Sequence, residues 1–203
     1  LSYSKLSYSL NIINLQSSTL TMLYEDDACQ LFSFPLKHRV PCWGFKLVEK
    51  KRPRRILKNM IDKYSIPVQA INQIKLGSNY LTTDNKLIDN NVLTIDSYKP
   101  RSYAYCSDTQ YFKKLANYIK DVDLLYHEAT FHSSLSDKAK STFHSTSKDA
   151  GKVASQANVK RLLIGHFSSR YKDLDVLKKD AKKIFTNVDI AVEGKVFKIK
   201  KVI

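Results

Sequence analysis

Residues 122–131, VDLLYHEATF, and residues 142–171, TFHSTSKDAGKVASQANVKRLLIGHFSSRY, decide how this chain reads. VDLLYHEAT reads as a strand. A helical period follows, in which Ala150, Val153, Ala154 and Ala157 recur at i, i+3, i+4 and i+7, with Ser145 placed to cap it. VKRLLIGHF then carries a continuous apolar stretch, the pattern of a strand buried on both faces. Strand, helix and strand in that order predict an α/β domain with helices packed on a sheet. Three of the five histidines, His127, His144 and His166, fall at strand ends or just before the helix. Loops at strand ends bring distant residues together, so a site is expected there.

The same alternation extends outward. SYAYCSD predicts a strand ending at Asp108, and Phe112, Leu115, Ala116 and Ile119 form one apolar stripe of a helix beyond it. Downstream, Leu174, Leu177, Ala181 and Ile184 mark another helix, and NVDIAVEG and KVFKIKK close the chain as strands. Upstream, SLNIINL, LTMLYE, ACQLFSF and CWGFKLVEK read as strands separated by turn residues. His38 lies between Pro35 and Pro41, which hold its segment extended.

With 203 residues, 43% of them hydrophobic, the chain is long enough for one domain with a proper core. Lys and Arg number 34 against 19 acidic residues, a net +15 whose field favours polyanions, nucleic acid first. Between Lys46 and Lys75 lie nine basic and two acidic residues, including KKRPRR ahead of a short amphipathic pattern (Ile56, Leu57, Met60, Ile61) ended by Pro67. Such a segment suits phosphate contact, with Lys50, Lys51, Arg52, Arg54 and Arg55 the candidates. The three cysteines, Cys29, Cys42 and Cys106, form no CxxC pair and no disulfide framework, which points to a reducing cytoplasm. No apolar run is long enough to span a membrane. The chain begins with Leu and carries no signal-peptide pattern.

Asp108, His127 with Glu128, and His166 each end a predicted strand. Neighbouring strand ends in a layered sheet converge on one edge, where such folds place ligands. A carboxylate and imidazoles meeting there suit a divalent metal, most simply zinc.

The segments PLKHRVPCWGF, YCSDTQ, HEATF, FHSTSKDAGKVA and LLIGHFSSRY, in that order, resemble the later motifs of ribonuclease Z. These enzymes are the transfer-RNA 3′-processing endonucleases of the metallo-β-lactamase superfamily. The resemblance implies an α/β, metallo-β-lactamase-like αββα sandwich, incomplete at the N-terminus. It would span residues 1–203 as a partial domain, with 46–75 as an inserted basic arm that grips transfer RNA. It also implies His38, Asp108 and His166 as metal ligands, His144 as general acid, and Glu128 as the group that orients it. His127 is then structural. Two zinc ions, a transfer-RNA precursor as substrate and a homodimer follow from the same resemblance. The family's His-Xaa-His-Xaa-Asp-His loop, its early glycine-rich strand and its Pro-Xaa-Lys-Xaa-Arg-Asn loop are absent from these 203 residues. The expectation is therefore the C-terminal two-thirds of a longer enzyme, a chain that alone binds zinc poorly and cleaves nothing. Two other classes compete: a non-catalytic nucleic-acid-binding module of the same fold, and another hydrolase of the superfamily acting on a small ester or thioester.

Overall fold

The computed structural model describes residues 7–203; the first six residues of the expected domain lie outside the described part. Three antiparallel strands open the fold: β1 (Thr21–Glu25), β2 (Cys29–Pro35) and β3 (Trp43–Glu49). An insertion follows, containing β4 (Arg55–Ile56), α1 (Lys58–Lys63), α2 (Val68–Lys75), β5 (Tyr80–Leu81), β6 (Leu87–Ile88), α3 (Asn90–Leu93) and β7 (Thr94–Ile95). The chain re-enters the main sheet at β8 (Ser102–Cys106). It continues through α4 (Leu115–Tyr118), β9 (Leu124–Glu128), α5 (Ser136–Ser141), α6 (Ser147–Gln156), β10 (Leu162–Gly165), α7 (Asp175–Lys182) and β11 (Val188–Ile190).

The main sheet has seven strands in the order β1-β2-β3-β8-β9-β10-β11. It is antiparallel from β1 to β8 and parallel from β8 to β11. Parallel neighbours need crossovers, which the helical segments between them supply. Because side chains alternate along a strand, Ala104, Cys106, Leu125, Leu162 and Ile164 share one face with the apolar stripes of α4, α6 and α7, forming the main core. The opposite face is largely uncovered, leaving Leu47 40% and Tyr105 39% exposed. Of the expected αββα sandwich, the described residues thus supply one sheet and one helical layer.

Local chemistry fixes the helices. Thr146, not Ser145, is the N-cap of α6: its hydroxyl accepts from the Asp149 N–H while the Asp149 carboxylate reaches back to the cap. Ser145 is instead drawn inward, its Oγ donating to the Thr109 carbonyl at 2.6 Å. Gly151 lets α6 approach α7 closely, since a Cβ there would sit 2.8 Å from the Ala181 carbonyl oxygen. The buried Asp180 of α7 accepts from the Ser133 and Ser147 hydroxyls at 2.8 Å each, joining three segments.

Three expectations need correcting. SLNIINL forms no strand, and Ile12 and Ile13 stand 82% and 75% exposed. KVFKIKK also lacks strand structure; this tail lies along the body, with Lys99 N–H donating to the Val202 carbonyl at 2.7 Å. Pro67 does not end α1, which stops at Lys63, but begins α2, where its missing N–H costs nothing. The insertion is also larger than the basic run. Ile66, Ile74, Ile88 and Leu93 give it a small core of its own, so the unit reaches well past Lys75. Arg101 closes it against the sheet by clasping Glu49, with Nε–Oε2 at 2.9 Å, and holds that carboxyl down to about 2.

Asp180→Ala strands the buried Ser147 hydroxyl and frees the half-buried Ser133 hydroxyl, and is expected to cost about 1–3 kcal/mol in urea unfolding, the penalty of one buried unsatisfied group. A loss below about 0.5 kcal/mol, the range of ordinary surface substitutions, would contradict this account of the α6–α7 junction.

Candidate metal and acid–base site

The site forms where β8, β9 and β10 end. Glu128, the last residue of β9, is fully buried, yet its carboxyl is held below the ordinary carboxylate value. Burial alone would raise it. Four donors outweigh that: Thr109 N–H to Oε1 at 2.6 Å, Thr130 hydroxyl to Oε2 at 2.6 Å, Ser145 N–H to Oε2 at 3.0 Å, and His144 Nδ1 to Oε1 at 3.0 Å. Hydrogen bonds to the charged form keep a buried carboxylate ionised. The same bond, with Glu128's charge, raises His144 above the ordinary imidazole value against its own partial burial.

Asp108 and His166 occupy the neighbouring strand ends, and both adopt left-handed backbone, at φ 59° and 56°. Such φ is uncommon for non-glycine residues and turns each side chain out of the strand's alternation. Gly165, just before His166, lies under the Tyr126 ring, where a Cβ would be 2.2 Å from the hydroxyl. His166 Nε2 faces Asp108 Oδ1 at 3.1 Å, and both side chains are close to half exposed. One ligand atom from each of Asp108, Glu128, His144 and His166 lies within 4.8 Å of the others. Glu128's oxygens are already taken by donors and His144's Nδ1 by Glu128. Asp108 and His166 are the pair left open to solvent, and their carboxylate and imidazole donors fit a divalent cation.

His38 is not one of those four. Its Nδ1 pairs with the Phe143 carbonyl at 3.0 Å, and its ring stands 5.1 Å from that of His144, which in turn stacks 5.3 Å from His166. The three imidazoles form a row beside the carboxylates. His127 points to the helical face, buried, with Nδ1 donating to the Glu128 carbonyl at 2.7 Å and Nε2 without a partner. The sequence pattern does not mark Thr109, Thr130 or Ser145 as site residues. Only their adjacency to Asp108, Glu128 and His144 could have signalled them.

The five basic candidates separate. Lys50 pairs with Glu25 at 2.8 Å, Arg54 binds Asp96 and the Thr94 hydroxyl, and Arg55 packs over the Tyr98 ring at 4.6 Å. Lys51 and Arg52 remain exposed and line an open groove of about 560 Å³ with Lys75, Tyr98 and Lys99.

This architecture is the metallo-β-lactamase fold. The metallo-β-lactamase fold protein YhfI of Bacillus subtilis superposes with a TM-score of 0.58 at 19% identity, covering 92% of this chain and 55% of that one. Human short-form tRNase Z gives 0.54 at 23% identity, covering 90% and 48%. No family model matches the chain. By sequence the chain is similar to proteins named ribonuclease Z: the one from Phocaeicola vulgatus is 45% identical over 188 residues, 93% of this chain and 61% of that protein. The chain spans about three-fifths of the length of the curated relatives it matches.

The acid–base pair carries a pH test. Glu128, lowered from 4.5, stabilises the fold above that value and ceases to do so as pH falls through its depressed pKa. His144, raised from 6.5, stabilises below that value and ceases to do so as pH rises through its elevated pKa. Glu128→Gln is therefore expected to destabilise most between pH 4.5 and 6.5. It should also lower the His144 pKa, followed by imidazole NMR. A His144 titration unmoved by the substitution would overturn the pairing.

Proposed function

We propose that this chain is the acid–base and part of the metal-binding half of an endoribonuclease that removes 3′ trailers from transfer-RNA precursors. The observation that carries this reading is the pair of buried Glu128 and half-buried His144 set beside the open Asp108–His166 pair at one sheet edge. It lies in a chain 45% identical to a protein named ribonuclease Z.

Asp108 and His166, with His38, would hold zinc, and further ligands would come from sequence outside these 203 residues. Bound metal polarises a phosphodiester and activates water for attack on it. His144 supplies the proton. Its Nδ1–H is committed to Glu128, so the proton for the leaving oxygen sits on Nε2. The Glu128 carboxylate keeps that site loaded towards neutral pH. Thr109 and Ser145 amides hold Glu128 in place and ionised throughout.

RNA contact is assigned to the groove at the base of the insertion rather than to all five basic candidates. Lys51 and Arg52 are free to meet phosphates, whereas Lys50, Arg54 and Arg55 serve the fold. The family resemblance also supports a homodimer. The three free cysteines suit a reducing cytoplasm, and among the described residues no helix is long and apolar enough to cross a membrane. These 203 residues alone are expected to cleave nothing.

Two measurements test the reading. In an enzyme containing this chain and loaded with zinc, His144→Ala should lower cleavage of a 3′-extended precursor by about 10²–10⁴-fold. Undiminished cleavage removes His144 from the mechanism. Replacing Lys51 and Arg52 with Ala should flatten the salt dependence of RNA affinity by roughly one to two in log–log slope. An unchanged slope moves the RNA contact elsewhere, and RNA binding by a full-length form that never cleaves favours the non-catalytic module.

A further inference from the structure

We propose that Thr130 is a positioning residue that sets the tautomer of His166 and couples it to the Glu128–His144 pair. This inference rests on the reading of His166 as a metal ligand. Thr130 lies two residues past the end of β9 and is 7% exposed. Its hydroxyl oxygen stands 2.6 Å from Glu128 Oε2, 2.9 Å from His166 Nδ1 and 2.9 Å from the His166 carbonyl oxygen.

A hydroxyl has one proton and two lone pairs. The proton can serve Glu128 or the His166 carbonyl but not both, and the shorter bond to an ionised carboxylate takes it. What remains facing His166 Nδ1 is a lone pair, which draws a hydrogen onto Nδ1. Asp108 Oδ1 stands 3.1 Å from Nε2 and would itself accept a hydrogen there, so the two carboxylates, Asp108 directly and Glu128 through Thr130, draw the imidazole hydrogen to opposite nitrogens. Once a cation occupies Asp108, the Thr130 contact decides: His166 is the Nδ1–H tautomer, with its Nε2 lone pair turned to the same side as Asp108. A ligand histidine whose other nitrogen is held by a hydrogen bond is fixed in both tautomer and ring angle. Thr130 does this through a hydroxyl whose proton is itself drawn off by Glu128, so the carboxylate that orients His144 also strengthens the bond that orients His166.

The separate roles of the Thr130 atoms make the idea specific. Its carbonyl accepts from Ser168 N–H at 3.2 Å, tying the loop after β10 to the loop after β9. That backbone contact survives any side-chain change, whereas the hold on Nδ1 depends on the hydroxyl alone.

The experiment is imidazole ¹⁵N NMR on the 203-residue chain without metal, at about pH 8, above the ordinary histidine range. The chain carries Asp108→Ala, which removes the carboxylate that competes for a hydrogen on Nε2. In that background, where the Thr130 variants are also read, His166 should be Nδ1–H in about fivefold excess, the equivalent of one ordinary hydrogen bond. Thr130→Ser keeps the hydroxyl and should keep that excess. Thr130→Val keeps the shape and should let His166 revert towards the Nε2–H form that free imidazole side chains favour. An Asp108→Ala chain with His166 mainly Nε2–H overturns the proposal before Thr130 is touched. So does a folded Thr130→Val chain whose tautomer is unmoved. Neither result depends on cleavage. Conversely, loss of the catalytic reading through an active His144→Ala enzyme would leave the tautomer result standing.

Discussion

A single buried carboxylate holds this half of the sheet edge together. Removing a charge from water costs several kcal/mol unless its lone pairs are satisfied, and Glu128 is fully buried. Its four donors come from three places in the chain: the loop after β8, the loop after β9, and the turn before α6. Each loop is held because Glu128 needs it. The arrangement therefore fixes where Asp108, Thr130 and His144 stand as a consequence of keeping one anion ionised in the interior. The electrostatics of the site and the conformation of its loops have the same cause.

That constraint also explains the backbone. Asp108 and His166 both sit at positive φ, at the turn where a strand gives way to its loop. Here the Thr109 N–H is committed to Glu128, and the Thr130 hydroxyl lies against both the ring and the carbonyl of His166. The surrounding hydrogen bonds over-determine the turn, and the two side chains project together towards solvent instead of into alternate faces of the sheet. The crowding of Tyr126 over Gly165 adds a steric reason why the residue before His166 carries no side chain.

Much of this was legible in the amino-acid sequence, and the reason is periodicity. The runs LLYHE and LLIG are apolar because they are buried by neighbours on both edges and at least one face, and the Ala-rich stripe of α6 matches the main core. Strand ends could therefore be located, and with them Asp108, Glu128 and His166. What was not legible depends on single hydrogen bonds. Ser145 and Thr146 are adjacent hydroxyl residues, and only the fold decides that one caps the helix while the other points inward. Thr130 looks like an ordinary strand-end threonine until His166 is brought beside it from 36 residues away. The insertion's extent was hidden because its core consists of isolated apolar residues, Ile66, Ile74, Ile88 and Leu93, spread through polar sequence. SLNIINL and KVFKIKK have strand composition but pair with no strand among the described residues, and composition without pairing does not make a strand.

Charge count and charge availability part company in the same way. Arg54 and Arg55 stand in KKRPRR beside Lys51 and Arg52, yet the first pair is spent on Asp96 and Tyr98 inside the insertion. Internal pairing leaves the net +15 untouched, because every acidic partner is already in the sum. The long-range field that draws a polyanion towards the protein therefore persists, while the groups able to grip phosphate at contact distance are fewer than the sequence suggests. At the sheet edge two carboxylates, Asp108 and Glu128, lie within 4.8 Å of two imidazoles, and Asp108 is the more exposed of the two. A polyanion is attracted by the whole molecule, while the carboxylate oxygens able to meet a cation are gathered at this corner. The proposed function, which joins a phosphodiester and a divalent metal, would need both.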